Sequence, residues 1–310
     1  MKIAYDCQGG DHAPHAIVRG ALKAKTEDIE PVFYGDRDAL IEIDGVDPEH
    51  IVHCSESILQ EESPVVAIRR KKDSAIVRAL ADLKKGEVDG VVSAGSTGAL
   101  LAGGMFIVKR KEGVERAALP VILKVGSQTK LLLDVGANVD VDPSTLLSFG
   151  HMGRDYLRRV EGVEDPTVSL LNIGTEEGKG NRQVKEAYEL FKESMPNFVG
   201  NVEARDVLFK SPDVIVSDGF SGNILLKGME GVIGYVQESI KTQLAGDMPS
   251  DVKRQIVDIM RNMLGQLDYQ RYGGVPLLGL EKPVFKVHGS SDEQAIVAAT
   301  ERLVKMVQTM

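Results

Sequence analysis

The chain has no tryptophan and only two cysteines in 310 residues, and aromatic residues make up 5% of it. Two thiols cannot build a disulfide framework, so a hydrophobic core must hold the fold and a reducing compartment is expected. Basic residues are outnumbered 37 to 46, for a formal net charge of −9. Such a surface repels phosphate backbones, which argues against generic nucleic-acid binding. No dinucleotide fingerprint is present, because Gly95-x-x-Gly98 and Gly219-x-x-Gly222 each lack the first glycine of G-x-G-x-x-G. There is no Walker motif, so nucleoside triphosphates are not expected. No G-x-S-x-G elbow appears and neither Cys7 nor Cys54 lies in a nucleophile-like turn, which leaves covalent acyl-enzyme chemistry without a carrier. His50-x-x-His53-Cys54 has no second ligand pair at zinc spacing, so no metal and no other cofactor is expected. One uncharged run, Gly90 to Val108, has 19 residues and approaches the length of a membrane span. Its glycines and hydroxyls break it into a buried strand and a helix. The chain opens MKIAYD and enters a strand-like run at once, which does not suit a signal peptide.

What is present is organised around Val88 to Gly104. An apolar run (Val88, Val91, Val92) stops at Ser93-Ala94-Gly95-Ser96-Thr97-Gly98, and an Ala/Leu-rich segment follows. This is the pattern of a buried parallel strand, a tight turn and a helix. A helix N-terminus offers unpaired N–H groups and a positive dipole end, so the turn suits an anion such as phosphate. The pattern returns at Val214 to Leu226. A shift of 124 residues superimposes Ser93 on Ser217, Gly95 on Gly219, Thr97 on Ser221 and Gly98 on Gly222. Two such corners are expected to face one cleft.

Strands are expected over 2–6, 31–35, 51–54, 88–93, 119–124, 130–134, 167–173, 198–200, 214–217 and 284–287, with helices in most of the gaps. The region 63–85 reads as helical, Asp11 as a helix N-cap, and Ser291-Asp292-Glu293-Gln294 as a capping box. This alternation implies an α/β fold, three layers (α/β/α) with a mostly parallel sheet. Ligands bind at the carboxyl ends of such strands, where the loops at Gly9–His12, Asn138, Gly174–Asn181, Gly219–Asn223 and His288 should lie. No linker interrupts the chain, which reads as a single domain over 1–310. A helical hairpin is expected over about 224–267. It carries one stripe of Met229, Val232, Ile233, Val236, Ile240 and Leu244, and another of Val252, Ile256, Ile259, Met260, Met263, Leu264 and Leu267. Stripes of this length suit pairing with a second subunit, and the tip at Leu244 and Met248 suits weak contact with a bilayer.

Lys179, between two glycines and just before Asn181, is a loop lysine placed to donate charge to a phosphate or a developing oxyanion. Arg69-Arg70-Lys71-Lys72 reverses the local sign of an acidic chain and suits an acidic partner.

Eight segments together resemble the bacterial phosphate acyltransferases. They are Asp6–Pro14 (DCQGGDHAP), Arg69–Ser74 (RRKKDS), Ser93–Ala99 (SAGSTGA) and Leu133–Asn138 (LDVGAN), with Asn172–Asn181 (NIGTEEGKGN), Gly200–Glu203 (GNVE), Ser217–Asn223 (SDGFSGN) and His288–Ser290 (HGS). Two positions depart from the family pattern: Cys7-Gln8 stands where Ala-Met is usual, and Ser96 where Asn is expected. The resemblance implies a fold similar to isocitrate and isopropylmalate dehydrogenases, with the helical hairpin protruding. It implies reversible transfer of a fatty acyl group from acyl carrier protein to inorganic phosphate. Phosphate would attack the thioester directly, giving acyl phosphate for phospholipid (phosphatidic acid) synthesis. It further implies a cytoplasmic homodimer at the inner face of the cell membrane, serving a membrane-bound glycerol-phosphate acyltransferase. The catalytic candidates are then Lys179, Asn181, His12 and Asp218, with His288 as another general acid. Gly95, Ser96, Thr97, Gly98, Asn138, Gly219, Ser221, Gly222 and Asn223 would hold phosphate or acyl phosphate. Arg69, Arg70, Lys71 and Lys72 would dock the carrier. The alternatives are a phosphotransacetylase-like enzyme using acyl-CoA and a non-catalytic module that binds lipid or an acyl carrier.

Overall fold

The computed structural model describes residues 1–126, 128–209, 212–244, 246, 248–265 and 273–310. In chain order the main elements are β1 (Lys2–Asp6), α1 (His15–Ala24), β2 (Glu30–Gly35), α2 (Arg37–Ile41), β3 (Ile51–His53), α3 (Pro64–Arg70), α4 (Ala75–Lys85), β4 (Gly90–Ser93) and α5 (Thr97–Gly103). Then come β5 (Pro120–Val125), β6 (Gln128–Leu133), α6 (Pro143–Tyr156), β7 (Val168–Asn172), α7 (Arg182–Ser194), β8 (Phe198–Glu203), β9 (Val214–Val216), α8 (Gly219–Leu244) and α9 (Ser250–Gly265). The chain closes with β10 (Val275–Pro276), β11 (Val284–Lys286) and α10 (Glu293–Gln308).

Two compact units emerge, and each is made of more than one stretch of chain. The first contains Met1–Pro120, Tyr156–Val163 and Gln270–Met310; the second contains Val121–Asp155 and Glu164–Tyr269. The expected α/β architecture is present, with mostly parallel sheets flanked by helices. The strands form two sheets where the sequence suggested one. The first unit holds the order β10-β11-β4-β1-β2-β3, the second β5-β6-β9-β7-β8.

In the first unit β11, β4, β1, β2 and β3 run parallel, and only β10 is antiparallel to its neighbour. Ile3, Ala4, Val91, Val92, Val284 and Phe285 are fully buried. Such continuous apolar runs are what a parallel sheet covered on both faces requires. On α4, Ile76, Val77, Leu80 and Leu83 form the buried stripe, and Gly86 ends the helix in the left-handed conformation. Helices α1 and α10 pack closely because Gly20 has no side chain: a Cβ there would fall 2.5 Å from the Cβ of Ile296. Tyr5 crosses this core to a hydrogen bond of 2.8 Å with Thr300.

Three local expectations need correction. The region 63–85 is two helices, because Asp73 organises a connector instead of continuing the first. Its carboxylate accepts the Ser55 N–H (3.0 Å) and hydroxyl (2.6 Å) and pairs with Arg78 (2.6 Å). Asp11 does not cap α1; Pro14 occupies that position, and the Asp11 N–H donates to the carbonyl of Gly289 at 2.8 Å. The cap of α10 is Asp292, not Ser291, with its carboxylate accepting the Ala295 N–H at 2.9 Å.

In the second unit β6, β9, β7 and β8 are parallel neighbours. Helix α8 leaves this sheet and stays exposed: beyond Leu226 none of its side chains is buried. Val232 and Tyr235 are 64% and 75% exposed, and nothing lies within 4 Å of a Cβ built on Gly228, Gly231 or Gly234. On α9, Val252 and Ile259 are exposed as well. Leu244 and Met248 are half-buried. Of the expected stripes, Leu267 and the side chains of Met263 and Leu264 lie outside the described residues, as do Ala245 and Asp247 of the turn.

Candidate active site

Each unit ends its central strands in the same construction. In the first, register aligns Asp6 of β1 with Ser93 of β4, and Ser93 with Lys286 of β11. Asp6 and Ser93 are buried, and the Ser93 hydroxyl donates to Asp6 Oδ2 at 2.6 Å. Ser93 Oγ also accepts the Gly95 N–H at 3.0 Å, which starts the turn. Asp6 Oδ1 accepts the Gln8 N–H at 3.1 Å, so one carboxylate ties two loops together. Burial raises the Asp6 pKa, opposed by the hydrogen bond from Ser93, that from Gln8 and the charge of Lys286. Burial lowers the Lys286 pKa to about 8, with Asp6 and Asp11 pulling it back up.

Helix α5 then begins. Ser96 is its N-cap, with Oγ accepting the Ala99 N–H at 3.4 Å. Ser and Asn perform this cap about equally well, so Ser96 fills the place expected of Asn without loss of the turn. The N–H groups of Thr97 and Gly98, first in the helix, have no intrahelical partner by construction. The turn is tight: a Cβ on Gly9 would sit 2.4 Å from the Gly95 nitrogen, and one on Gly98 2.6 Å from Pro64 Cγ. Gln8, the other departure from the family pattern, bridges two elements. It donates to the Cys54 carbonyl (3.1 Å) and accepts the Ala75 N–H (3.0 Å) at the start of α4. Asp6, Gln8, Gly9, Ser74 and Gly95 line a small recess there.

The second unit repeats the pairing. Leu133 is in register with Val216, which brings Asp134 beside Ser217. Ser217 Oγ donates to the Asp134 carbonyl at 3.1 Å. The buried Asp134 carboxylate accepts the N–H of Ala137 (3.2 Å), the N–H of Asn138 (2.7 Å) and the Asn138 side-chain amide (3.0 Å). Here the first and third N–H groups of the helix are already used. Asp218 accepts both the Ser221 N–H (2.7 Å) and its hydroxyl (2.9 Å), and the Gly219 N–H goes to the Asn138 carbonyl (2.7 Å). The helix also starts two residues earlier than in the first corner, at Gly219 and not at the counterpart of Thr97, so Asp218, which stands where the first corner has Ala94, takes the capping place that Ser96 holds there.

Strand β7 neighbours β9, so the loop after it lies beside the second corner. The Asn172 side chain donates to the Lys179 carbonyl at 3.1 Å, and a Cβ on Gly180, at φ +96°, would fall 2.6 Å from Asn172 Oδ1. This fold-back leaves Lys179 exposed, its stem over Gly174. Asn181 caps α7, accepting the Val184 N–H at 2.9 Å. His12 and His288 are exposed on loops of the first unit, and His288 Nδ1 lies 2.8 Å from Ser290 Oγ. Of the basic run, Arg69 lies over the Phe106 ring (5.7 Å), Lys71 pairs with Glu62, and Lys72 donates to the Ile68 carbonyl. Arg69, Arg70 and Lys72 are exposed and carry the outward charge. Among the described residues, no helix is long and apolar enough to cross a membrane, and no group of three or more metal-ligating side chains forms.

Asp6, Asp134 and Lys286 are the site residues that reading along the chain misses. Their signal is a charge that ends a buried apolar run: KIAYD, KLLLD and VFK.

The sequence and the fold have counterparts. The chain matches the model of a family described as "Fatty acid synthesis protein" over residues 1–310. It is 44% identical to a phosphate acyltransferase of Bacillus cereus (strain G9842), covering 99% of this chain and 94% of that protein. A phosphate acyltransferase of Caldanaerobacter subterraneus subsp. tengcongensis is 42% identical with the same coverage. Among solved structures, a phosphotransacetylase from Streptococcus pyogenes superposes with a TM-score of 0.65 at 20% identity, covering 100% of this chain and 94% of that one. A 4-hydroxythreonine-4-phosphate dehydrogenase from Klebsiella pneumoniae gives 0.53 at 14% identity, covering 99% of each chain. The chain is an acyltransferase of the phosphate acyltransferase family.

The corners set a sharp steric test. A Cβ on Gly222 would fall 2.0 Å from the Asp134 carbonyl oxygen, whereas one on Gly228 meets open space. Gly222→Ala should therefore cost about 3 kcal/mol or more and lower Tm by on the order of 6–12 °C. Gly228→Ala should stabilise by up to about 1 kcal/mol through helix propensity. Thermal unfolding of the two variants checks this, and equal Tm values would contradict the close approach.

Proposed function

We propose that the enzyme transfers a fatty acyl group reversibly from an acyl-carrier-protein thioester to inorganic phosphate, yielding acyl phosphate for phospholipid synthesis. The observation that carries this reading is the first corner, where the leading amides of α5 stand open in a setting with no activated nucleophile. Phosphate is already an oxyanion, so it needs orientation more than activation. The N–H groups of Thr97 and Gly98, with the Thr97 hydroxyl, supply that orientation, and Gly95 allows the close approach.

Direct attack is favoured because both thiols are unsuited to an acyl-enzyme. Cys7 and Cys54 are buried; burial pushes the Cys54 pKa up to about 12 and that of Cys7 well above its ordinary value. Attack on the thioester carbonyl develops an oxyanion, which Lys179 is suited to stabilise, with Asn138, Asn181 and Asn223 orienting the reacting group. The departing thiolate has an ordinary pKa of about 8.5, so a general acid such as His12 or His288 adds only modest help. Asp218 and Ser221 close the start of α8 until substrate competes for the Ser221 hydroxyl.

A long acyl chain is supported by the carboxyl edge of the second sheet. Val139, Ile173, Phe220 and Ile224 follow β6, β7 and β9 there and are all more than half exposed. Each methylene covered by such a surface is worth about 0.8 kcal/mol. Carrier docking is assigned to the run Arg69–Lys72, with Arg69, Arg70 and Lys72 as its outward charges and the exposed Val65, Val66 and Phe106 beside them. The apolar faces of α8 and α9 support a homodimer joined through the hairpin. Leu244 and Met248 at its tip support reversible attachment to the inner face of the cytoplasmic membrane, since two side chains contribute only about 3–6 kcal/mol. Acyl phosphate would then be consumed by a membrane-bound glycerol-phosphate acyltransferase.

Four experiments test these assignments. Acyl phosphate should form faster from palmitoyl-carrier protein than from palmitoyl-CoA or acetyl-CoA. Thr97→Val should raise the KM for phosphate about tenfold, the worth of one charge-assisted hydrogen bond, and Ser221→Ala by less. Unaltered KM values in both variants would remove the phosphate assignment. Arg69→Glu with Arg70→Glu should raise the KM for acyl-carrier protein at least tenfold at low salt and leave that for acyl-CoA unchanged. An equal change toward both donors would return the run to an ordinary solvated surface. Leu244→Glu with Met248→Glu should abolish sedimentation with anionic vesicles while the protein remains a dimer by light scattering. A variant that still sediments would exclude the tip.

A further inference from the structure

The polar row at the end of the first sheet holds a cation to which the acyl-transfer reading gives no task. Lys286 is half-buried at the end of β11, in register with Ser93. Its Nζ donates to the Ala94 carbonyl at 3.2 Å and to the carbonyl of Val287. The Ala94 carbonyl and the Gly95 N–H belong to one peptide group. The other end of that group, the Gly95 N–H, donates to Ser93 Oγ at 3.0 Å, and Ser93 in turn donates to Asp6 at 2.6 Å. A peptide group turns as a rigid plane about its two flanking bonds, so rotating this one would break its bonds at both ends together. The β1–α1 loop leaves it no slack. A Cβ on Gly9 would fall 2.4 Å from the Gly95 nitrogen, and one on Gly10 2.7 Å from Ala94 Cβ.

We infer that Lys286 and Asp6, the latter through Ser93, are positioning residues that clamp the Ala94–Gly95 peptide plane and so aim the leading amides of α5 at phosphate. The inference rests on the proposed acyl transfer for its catalytic consequence and on the geometry alone for the clamp. The second corner lacks the device: Asp134 and Ser217 recur, but Leu170 pairs with Val216, so the next position on β7, beside Ser217, is Leu171. Among the described residues the first corner has a cation at the end of its row and the second does not, and the first N–H of α5, that of Thr97, has no acceptor where that of α8 has the Asn138 carbonyl.

The clamp also has a direction in pH. The groups facing Lys286 are Asp6 at the end of β1 and Asp11 in the loop that follows. Burial holds its pKa near 8, below its unfolded value, so the cation is lost as pH rises through about 8 and the Ala94 carbonyl loses its charged donor. The kcat/KM for phosphate should therefore fall on that alkaline limb. Asp6→Asn removes a facing charge and should move the limb to lower pH by about 1 unit.

The decisive test is a double-mutant cycle on Ser93→Ala and Lys286→Met. Each single variant should lower kcat/KM for phosphate at least tenfold, and Lys286→Arg should recover it to within about threefold of the parent. The double variant should be no worse than the poorer single one, because the second cut acts on a plane already released. Losses that multiply, or single variants with parental kinetics, would overturn the clamp. Hydrogen exchange supplies an arm independent of activity and of the stability of Lys286→Met. Amides over 94–98 should exchange at least tenfold faster in Ser93→Ala than in the parent. Unchanged exchange there overturns the clamp even if acyl transfer holds. A parent enzyme that makes no acyl phosphate, with exchange accelerated as expected, overturns the function and leaves the clamp.

Discussion

A carboxylate buried at the end of a central strand is the constraint on which both halves of this protein depend. Asp6 and Asp134 each lie in low-dielectric surroundings, where an unpaired charge is costly, and each meets that cost by collecting donors. The donors are backbone amides of the loop that follows, joined in the first unit by the hydroxyl of a neighbouring strand. Satisfying the charge thus fixes loop geometry. The loops at the carboxyl ends of these strands owe their shape to an electrostatic obligation made inside the sheet. Hydrophobic burial selects the sheet, and the carboxylates decide how its rim is finished.

The two corners show how similar sequences finish the start of a helix with different donors in use. Both have a strand-end serine, the same glycine spacing and a helix behind them. In both, the residue before the helix accepts the N–H of its third residue, Ser96 from Ala99 and Asp218 from Ser221; the second corner differs in that the first N–H of its helix, that of Gly219, is also taken, by the Asn138 carbonyl. A helix N-terminus attracts a negative group, and at the second corner a side-chain carboxylate already stands there. Any anion that binds the second corner must compete with a carboxylate tethered beside it.

Much of this was legible from the chain alone, for physical reasons that also explain what was not. Buried parallel strands announce themselves as apolar runs, and tight turns as small residues after them, so the α/β class and both glycine turns could be read directly. The eight segments shared with the phosphate acyltransferases carried the family. Features that depend on pairing between distant strands could not be read. Ser93 meets Asp6 across 87 residues, and Lys286 meets Ala94 across 192. Neither partner predicts the other, because register is a property of the sheet. The division into two units is equally hidden, since the chain passes from one to the other at Pro120 and back at Tyr156 with no shift in composition. The run Arg69–Lys72 shows a smaller blindness: four cations look equivalent in sequence, yet Glu62 takes one of them.

Helix α8 begins in the polar turn at Gly219 and ends at Leu244 in the hairpin, 26 residues without interruption. At 1.5 Å per residue it is a rod of about 39 Å, clamped at one end by the Asp218 cap and bare along most of its length. A force or tilt imposed on the bare end arrives at the clamped end as a torque on that cap. Gly228, Gly231 and Gly234, with open space around each, are the places where such a rod bends most easily, and they divide it into a stiff base and a compliant arm. The compliance of those few glycines, more than the length of the helix, therefore governs how strongly whatever holds the far end is felt at the turn.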